Sequence, residues 1–208
     1  MKAAGQAKSI LSGAFPKTEL VRRLWLARKD PWFLRGAYLE PSSYGDDSIV
    51  LSPLLMALFV PAHSINFALP DALGAPRQEA WPRPAATNPE SLIAAAHRIL
   101  PWLERYQTPH HVAGAVLASP TVDPYSLEVA HAALVLEQDL SAARTALDRL
   151  ETVAHTDAPP WTHEILERAR ALHALAGDSS GVARAQIIER RSNLLRDLKL
   201  ERYLSELP

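Results

Sequence analysis

The second half of the chain is punctuated by prolines placed where helices begin, and this limits it to a run of consecutive helices. Asn88-Pro89 sets a capping amide before a proline at the first helical position, and Asp123-Pro124 repeats the arrangement. Leu92, Ala96, Ile99 and Leu103 recur at helical spacing after the first cap, with Pro101 expected to kink or end that helix early. Leu127, Ala130, Leu134 and Leu136 follow the second cap, up to a turn at Gln138-Asp139. The next helix carries Leu140, Ala143, Leu147 and Leu150 and is expected to end near His155. Pro159-Pro160 opens another, with Ile165, Ala169, Leu172 and Leu175. Gly177-Asp178 is read as its stop and as the cap of a last helix carrying Val182, Ile187, Leu194 and Leu198. Connections this short make neighbouring helices antiparallel.

The first part of the chain has a different grammar. From about Lys17 to Trp81 it is rich in Trp, Tyr, Phe, Val and Pro and poor in helical periodicity. A short helix is expected over Lys2–Leu11, closed by Gly13. Strands are expected over Leu20–Arg28, Trp32–Glu40, Ser48–Val60 (one strand, or two divided at Pro53) and Ser64–Leu69. Asp30-Pro31 and Tyr44-Gly45-Asp46-Asp47 supply turns between them, so the pairing should be antiparallel. Pro76–Pro84 holds three prolines in nine residues and reads as an extended linker. The division is thus residues 1–82, a helix plus sheet, and residues 88–208, helical, expected to pack with the sheet as one domain.

The 208 residues carry 22 basic and 23 acidic side chains, a formal charge of −1, without the basic excess that phosphate neutralisation requires. Nucleic acid is therefore not an expected partner. With no cysteine, a disulfide framework, a thiolate zinc site and a cysteine nucleophile are excluded, and a reducing, cytoplasmic setting fits. Met1–Ala14 lacks a continuous apolar core and contains Lys8, which does not read as a signal peptide. The most apolar stretch, Ile49–Val60, has twelve residues, short of the roughly 20 a membrane-crossing helix needs. Arginine well in excess of lysine, with abundant alanine and proline, suits a bacterial genome rich in G and C.

Few residues are arranged for chemistry. Of eight histidines, His110-His111 are adjacent and point apart, His97 and His131 fall on helices, and His155 and His163 flank a proline turn. None stands in the His-Glu-x-x-His spacing of a zinc hydrolase. Asp46-Asp47 can bind a divalent cation or act as acid and base, but in a turn such residues commonly bond the local backbone. The eight glycines are scattered singly, so there is no phosphate-binding loop, and no Gly-x-Ser-x-Gly elbow occurs. No catalytic residue, metal ligand or cofactor is assigned. Charge is more telling: residues 1–45 hold eight basic side chains against three acids, and residues 104–178 eleven acids against five arginines. Arg22, Arg23, Arg28 and Arg35, with Trp32 and Trp81, are the candidate binding residues, because aromatics beside arginine recur at binding surfaces; they are as common in cores, and the core is the favoured reading of the tryptophans. Arg190-Arg191 and Arg196 form a second basic group on the last helix.

The helix pair over Tyr125–Val153 resembles a tetratricopeptide hairpin, with Leu127, Ala130, Leu134, Ala143, Leu147 and Leu150 near that repeat's packing positions, although its anchoring Trp and Gly are missing. The order Trp32-Phe33-Leu34-Arg35-Gly36-Ala37-Tyr38-Leu39-Glu40, Ser48–Pro61, His63–Gly74, Trp81-Pro82 and Ile99-Leu100-Pro101-Trp102-Leu103 resembles a family of uncharacterised bacterial domains, some associated with toxin-immunity proteins. That resemblance implies an α+β domain that binds another macromolecule, and brings no catalytic residues. The expectation is an α+β fold, a small antiparallel sheet packed against a C-terminal stack of antiparallel α-helices. Its expected role is a non-enzymatic protein-binding module, an immunity or adaptor protein that occludes a partner's surface. The alternatives are a metal-dependent hydrolase using Asp46, Asp47 and distant histidines, and a structural subunit buried through its long apolar strand or last helix.

Overall fold

A computed structural model describes residues 3–28, 30–41, 49–62, 64–77, 79–81, 89–120, 122–155 and 158–201. The fold is α+β, with an antiparallel sheet early in the chain and helices filling its C-terminal half. It divides into two compact units: Met1–Met56 with Gly74–Arg105, and Ala57–Leu73 with Tyr106–Pro208. The division takes residues 89–105, which the sequence groups with the helical region, into the sheet unit.

The sheet unit holds α1 (Ala3–Ala14), β1 (Glu19–Val21), β2 (Leu24–Arg28), β3 (Phe33–Pro41), β4 (Ile49–Ala57), β5 (Glu79–Trp81) and α3 (Pro89–Leu103). Its strands lie side by side in chain order, with β2 antiparallel to β1 and β3, and β5 antiparallel to β4. Helices α1 and α3 touch each other and β3, so their apolar stripes (Ala7 and Leu11; Leu92, Ala96, Ile99 and Leu103) close one core with the strands. Trp25 of β2 is wholly buried there. Its indole donates to Thr18 Oγ1 at 2.8 Å and its ring lies 5.3 Å from that of Phe15. Burial of a large apolar side chain of this kind contributes about 1.5–3 kcal/mol. Opposite Trp25 the strands come unusually close, and a Cβ on Gly36 would lie 1.8 Å from the Trp25 carbonyl oxygen. The adjoining register shift between Leu26 and Arg28 marks a bulge.

The helical unit holds α2 (Ala68–Ala72), α4 (Pro109–Ala118), α5 (Pro124–Leu136), α6 (Leu140–Val153), α7 (Pro160–Asp178) and α8 (Ser180–Asp197). Helix α5 presents no polar face to solvent: all thirteen of its residues are buried, Ser126, Glu128 and His131 among them. Such a helix must be enclosed, and α2, α4, α6, α7 and α8 all contact it. The stack therefore closes around α5 rather than continuing in one direction. Asp123 caps α5 by accepting from Ser126 N at 3.0 Å, and Asp139 caps α6 through Ala142 N at 3.0 Å, both beside the expected starts.

Several expectations need correction. The strand expected over Leu20–Arg28 is a hairpin, because Arg22 at φ 55° turns the chain between β1 and β2. Ser64–Leu69 forms no strand: Asn66 Oδ1 accepts from Ala68 N at 2.8 Å and α2 begins there. The proline-rich linker contains β5, paired with Ile49–Leu51. Pro53 does not divide β4, which runs unbroken over Ile49–Ala57. Pro101 does not end α3 early, and the helix runs to Leu103. Helix α4 was not expected: Thr108 caps it by accepting from His111 N at 3.2 Å, with Pro109 next. Helix α1 runs past Gly13 to Ala14, and α7 past Gly177 to Asp178, before Ser179 breaks the chain. Asn88 and the Asp46-Asp47 turn lie outside the described residues. No helix among the described residues is long and apolar enough to cross a membrane.

Candidate functional site

The residues proposed from sequence as one basic, aromatic face are divided by the structure. Arg22 and Arg23 are exposed in the β1–β2 turn. Arg35 is 3% exposed on β3 and pairs with buried Asp30, Nε to Oδ2 at 2.6 Å. Its guanidinium carbon lies 5.0 Å from the Phe33 ring centre. Trp32 is buried, and its backbone N–H, with that of Phe33, donates to Asp30 Oδ1 at 2.8 and 2.9 Å. Asp30 thus organises the β2–β3 turn, and Arg35 neutralises the carboxylate that does so. Arg35 and Trp32 therefore belong to the interior and share no surface with Arg22 and Arg23. Arg28 lies on β2 and Trp81 on β5, their side chains outside the described residues.

Among the described residues the histidines do not converge on a metal centre either. His97, His110, His111 and His155 are exposed, His163 is half-buried, and His63 lies outside the described residues. Among the described residues no three or more His, Asp or Glu side chains come together as metal ligands.

Two sites in the helical unit remain. The first follows from the enclosure of α5. Its polar residues Tyr125, Ser126, Glu128 and His131 have no solvent face, so each needs an internal partner. Ser126 Oγ donates to Asp123 Oδ2 at 2.6 Å. Glu128 accepts both arms of Arg168 from α7, Nε and Nη2 each at 2.9 Å. One turn further, His131 Nε2 lies 3.3 Å from His173 Nδ1, also on α7. The parallel run of α5 and α7 makes Glu128–Arg168 and His131–His173 successive rungs. Tyr125 OH and His131 Nδ1 are buried with no hydrogen-bond partner, as is Gln186 Oε1 on α8.

Burial is the largest influence on the titrating groups that α5 carries in this cluster. Burial raises the Glu128 carboxyl above its usual range, and outweighs the opposing hydrogen bonds and charge of Arg168 and the charge of Arg190. Burial pushes the His131 imidazole down to about 3, helped by His173 and Arg190, so it is neutral at pH 7. Burial raises the Tyr125 phenol, and the carboxylates of Glu128 and Asp123 add to that. Burial lowers Arg190 on α8, Glu128 opposes the change, and Arg168 reinforces it. Sequence reasoning passed over this cluster. Its signal is Tyr125, Glu128 and His131 at three-residue spacing in a helix with no polar face to hold them.

The second site is an open cleft of about 830 Å³ at the end of the unit where α4 and α6 finish and α5 begins. Ala68 and Ala72 of α2, with Pro120, Val122 and Val153, give it apolar walls; Asp71, Asp123, Arg149 and Thr152 are its polar lining. Two of these four are occupied in holding helix ends. Arg149 donates to the carbonyls of Leu117 at 2.6 Å and Ser119 at 2.9 Å, where α4 finishes. Asp123 caps α5. Trp161, the second residue of α7, is 50% exposed. Thr152 is the one hydroxyl in the described lining, and it donates to the Asp148 carbonyl at 2.9 Å.

Comparison of the chain with protein-family models, with curated proteins and with solved structures gave no match.

Proposed function

We propose that the chain is a non-enzymatic protein-binding module, of the immunity or adaptor class, working in the cytoplasm. It takes an extended segment of another protein into the cleft beside α2 and so occludes that segment. The observation carrying this reading is the division of labour in the cleft: its walls are apolar, while Arg149 and Asp123 are spent on helix ends. An apolar concavity with a few polar groups is a binding site by default, and exposed Trp161 is the type of side chain that anchors such contacts. The acid-rich composition of residues 104–178 and exposed Asp71 favour a segment with basic residues flanking an apolar core.

A photo-cross-linking amino acid at Thr152, in the full chain expressed in its host, tests this. The expected result is one dominant protein adduct, lost when Ala68→Arg fills the cleft and absent when the cross-linker replaces exposed Arg184. The same adducts from both positions, or none from Thr152, would overturn the reading.

A further inference from the structure

Three of the four polar side chains in the described lining of the cleft are engaged within the helical unit. Arg149 turns Nη1 and Nη2 to the carbonyls of Leu117 and Ser119, at 2.6 and 2.9 Å, where its charge answers the negative end of α4. Asp123 accepts from Ser126 N with one carboxylate oxygen and from Ser126 Oγ with the other. The Thr152 hydroxyl donates to the Asp148 carbonyl at 2.9 Å, so towards the cleft its oxygen can only accept. The fourth, Asp71, is different. It is exposed, and its carboxylate has no hydrogen-bond or ion-pair partner among the described residues, Arg149 included. Ala68, Asp71 and Ala72 stand three and four residues apart, share one face of α2 and all line the cleft. Leu69 and Leu73, also four apart, are buried, and the Tyr106 hydroxyl donates to the Leu73 carbonyl at 3.1 Å. Helix α2 is thus fixed from behind and offers the cleft two methyl groups beside one carboxylate.

We propose that one lysine or arginine side chain of the bound segment anchors it in the cleft, with its head on Asp71 and its stem over Ala68 and Ala72. This rests on the reading of the cleft as the site of a protein segment, and it names the residue type that the site selects. A long basic side chain has the matching build, an aliphatic stem ending in a charge. The described lining holds two carboxylates and one guanidinium, and that guanidinium faces the end of α4, so a cation is the charge the cleft lacks. An acidic anchor would meet Asp71 and Asp123 as like charges and have only the unused N–H groups of Arg149 to bond. An apolar anchor would leave Asp71 to water, and its binding would not depend on residue 71.

Titration of the full chain, followed through the backbone amide resonances of Asp71 and Thr152, tests the proposal. The probes are the amides of Nα-acetyl-lysine, Nα-acetyl-arginine and the uncharged Nα-acetyl-norleucine. Expected is saturable binding of a cationic probe about three- to fivefold tighter than norleucine, the scale of an exposed ion pair. In Asp71→Asn, which breaks no described hydrogen bond, the cationic probes should fall to the norleucine level. No saturable binding of either cation, equal binding of all three probes, or cation binding unchanged in Asp71→Asn, overturns the proposal. The Thr152 cross-link separates the anchor from the reading beneath it. An adduct that forms in wild type and is undiminished in Asp71→Lys overturns the anchor alone. No adduct from Thr152 in wild type overturns both.

Discussion

Acid should loosen the helical unit through one imidazole. His131 is wholly buried, and its folded-state value is about 3 against an ordinary 6.5. The unfolded chain therefore takes up a proton on this residue below pH 6.5, and the folded chain does not until about pH 3. In that window the unfolded state binds more protons, so the His131 contribution to stability is full above pH 6.5 and is lost as pH falls. At about 1.4 kcal/mol per pH unit, the loss is about 2 kcal/mol at pH 5 and about 5 kcal/mol by pH 3. Glu128 works the other way. Its raised value means that stability falls as pH rises from the ordinary carboxyl range to the folded value, so the net acid profile is shallower than His131 alone would give. Replacing His131 by Gln isolates its share, since Glu128, Arg168, His173 and Arg190 remain in both proteins. Urea unfolding of the full chain, followed by far-ultraviolet circular dichroism at pH 7, 6 and 5, is the assay. Whatever the fixed cost of the substitution, the stability gap between wild type and His131→Gln should narrow by about 2 kcal/mol from pH 7 to pH 5. A gap constant over that range refutes the reasoning, because it would mean that His131 titrates alike in both states.

Other substitutions read the remaining contacts. Gly36→Ala should destabilise by at least about 2 kcal/mol, seen as a lower urea midpoint, because its Cβ meets the Trp25 backbone carbonyl rather than a movable side chain. Asp30→Ala should cost about 3–5 kcal/mol by leaving the Arg35 charge in the core and freeing the N–H groups of Trp32 and Phe33; adding Arg35→Met should recover part of it in a double-mutant cycle. Asp123→Ala removes the α5 cap and the Ser126 hydroxyl's acceptor, and a loss of about 1–2 kcal/mol is expected in thermal unfolding.

The helical half was legible because its starts are written in side chains that act locally. The Asp123 and Asp139 caps need nothing beyond the next three residues, and both fall where a cap-and-proline or turn reading puts them. Helix α4 escaped because Leu117 and Ala118 carry its apolar run beyond the buried positions Val112, Ala113 and Val116 and blur their helical spacing. The β1–β2 turn escaped because an arginine, not a glycine or asparagine, takes the left-handed conformation at residue 22. β5 was hidden because only pairing with Ile49–Leu51 makes a strand of it. The polar cluster was visible in outline, as a Glu and a His in a helix that is otherwise apolar. Knowing that Arg168 and His173 answer them, forty and forty-two residues away, required the fold. The basic face failed as a unit because Arg35 and Trp32 are claimed by Asp30, a contact that reads in sequence only as an Asp-Pro turn.

Enclosing α5 also sets a timetable for synthesis. The helix ends at Leu136, and α8, the last helix to cover it, ends at Asp197, about sixty residues later. At roughly 5–20 residues per second, α5 spends about 3–12 s clear of that last cover as the chain emerges. An apolar helix exposed for seconds is what nascent-chain chaperones bind. Ribosomes stalled between α6 and α8 should therefore display the most aggregation-prone form this chain ever takes.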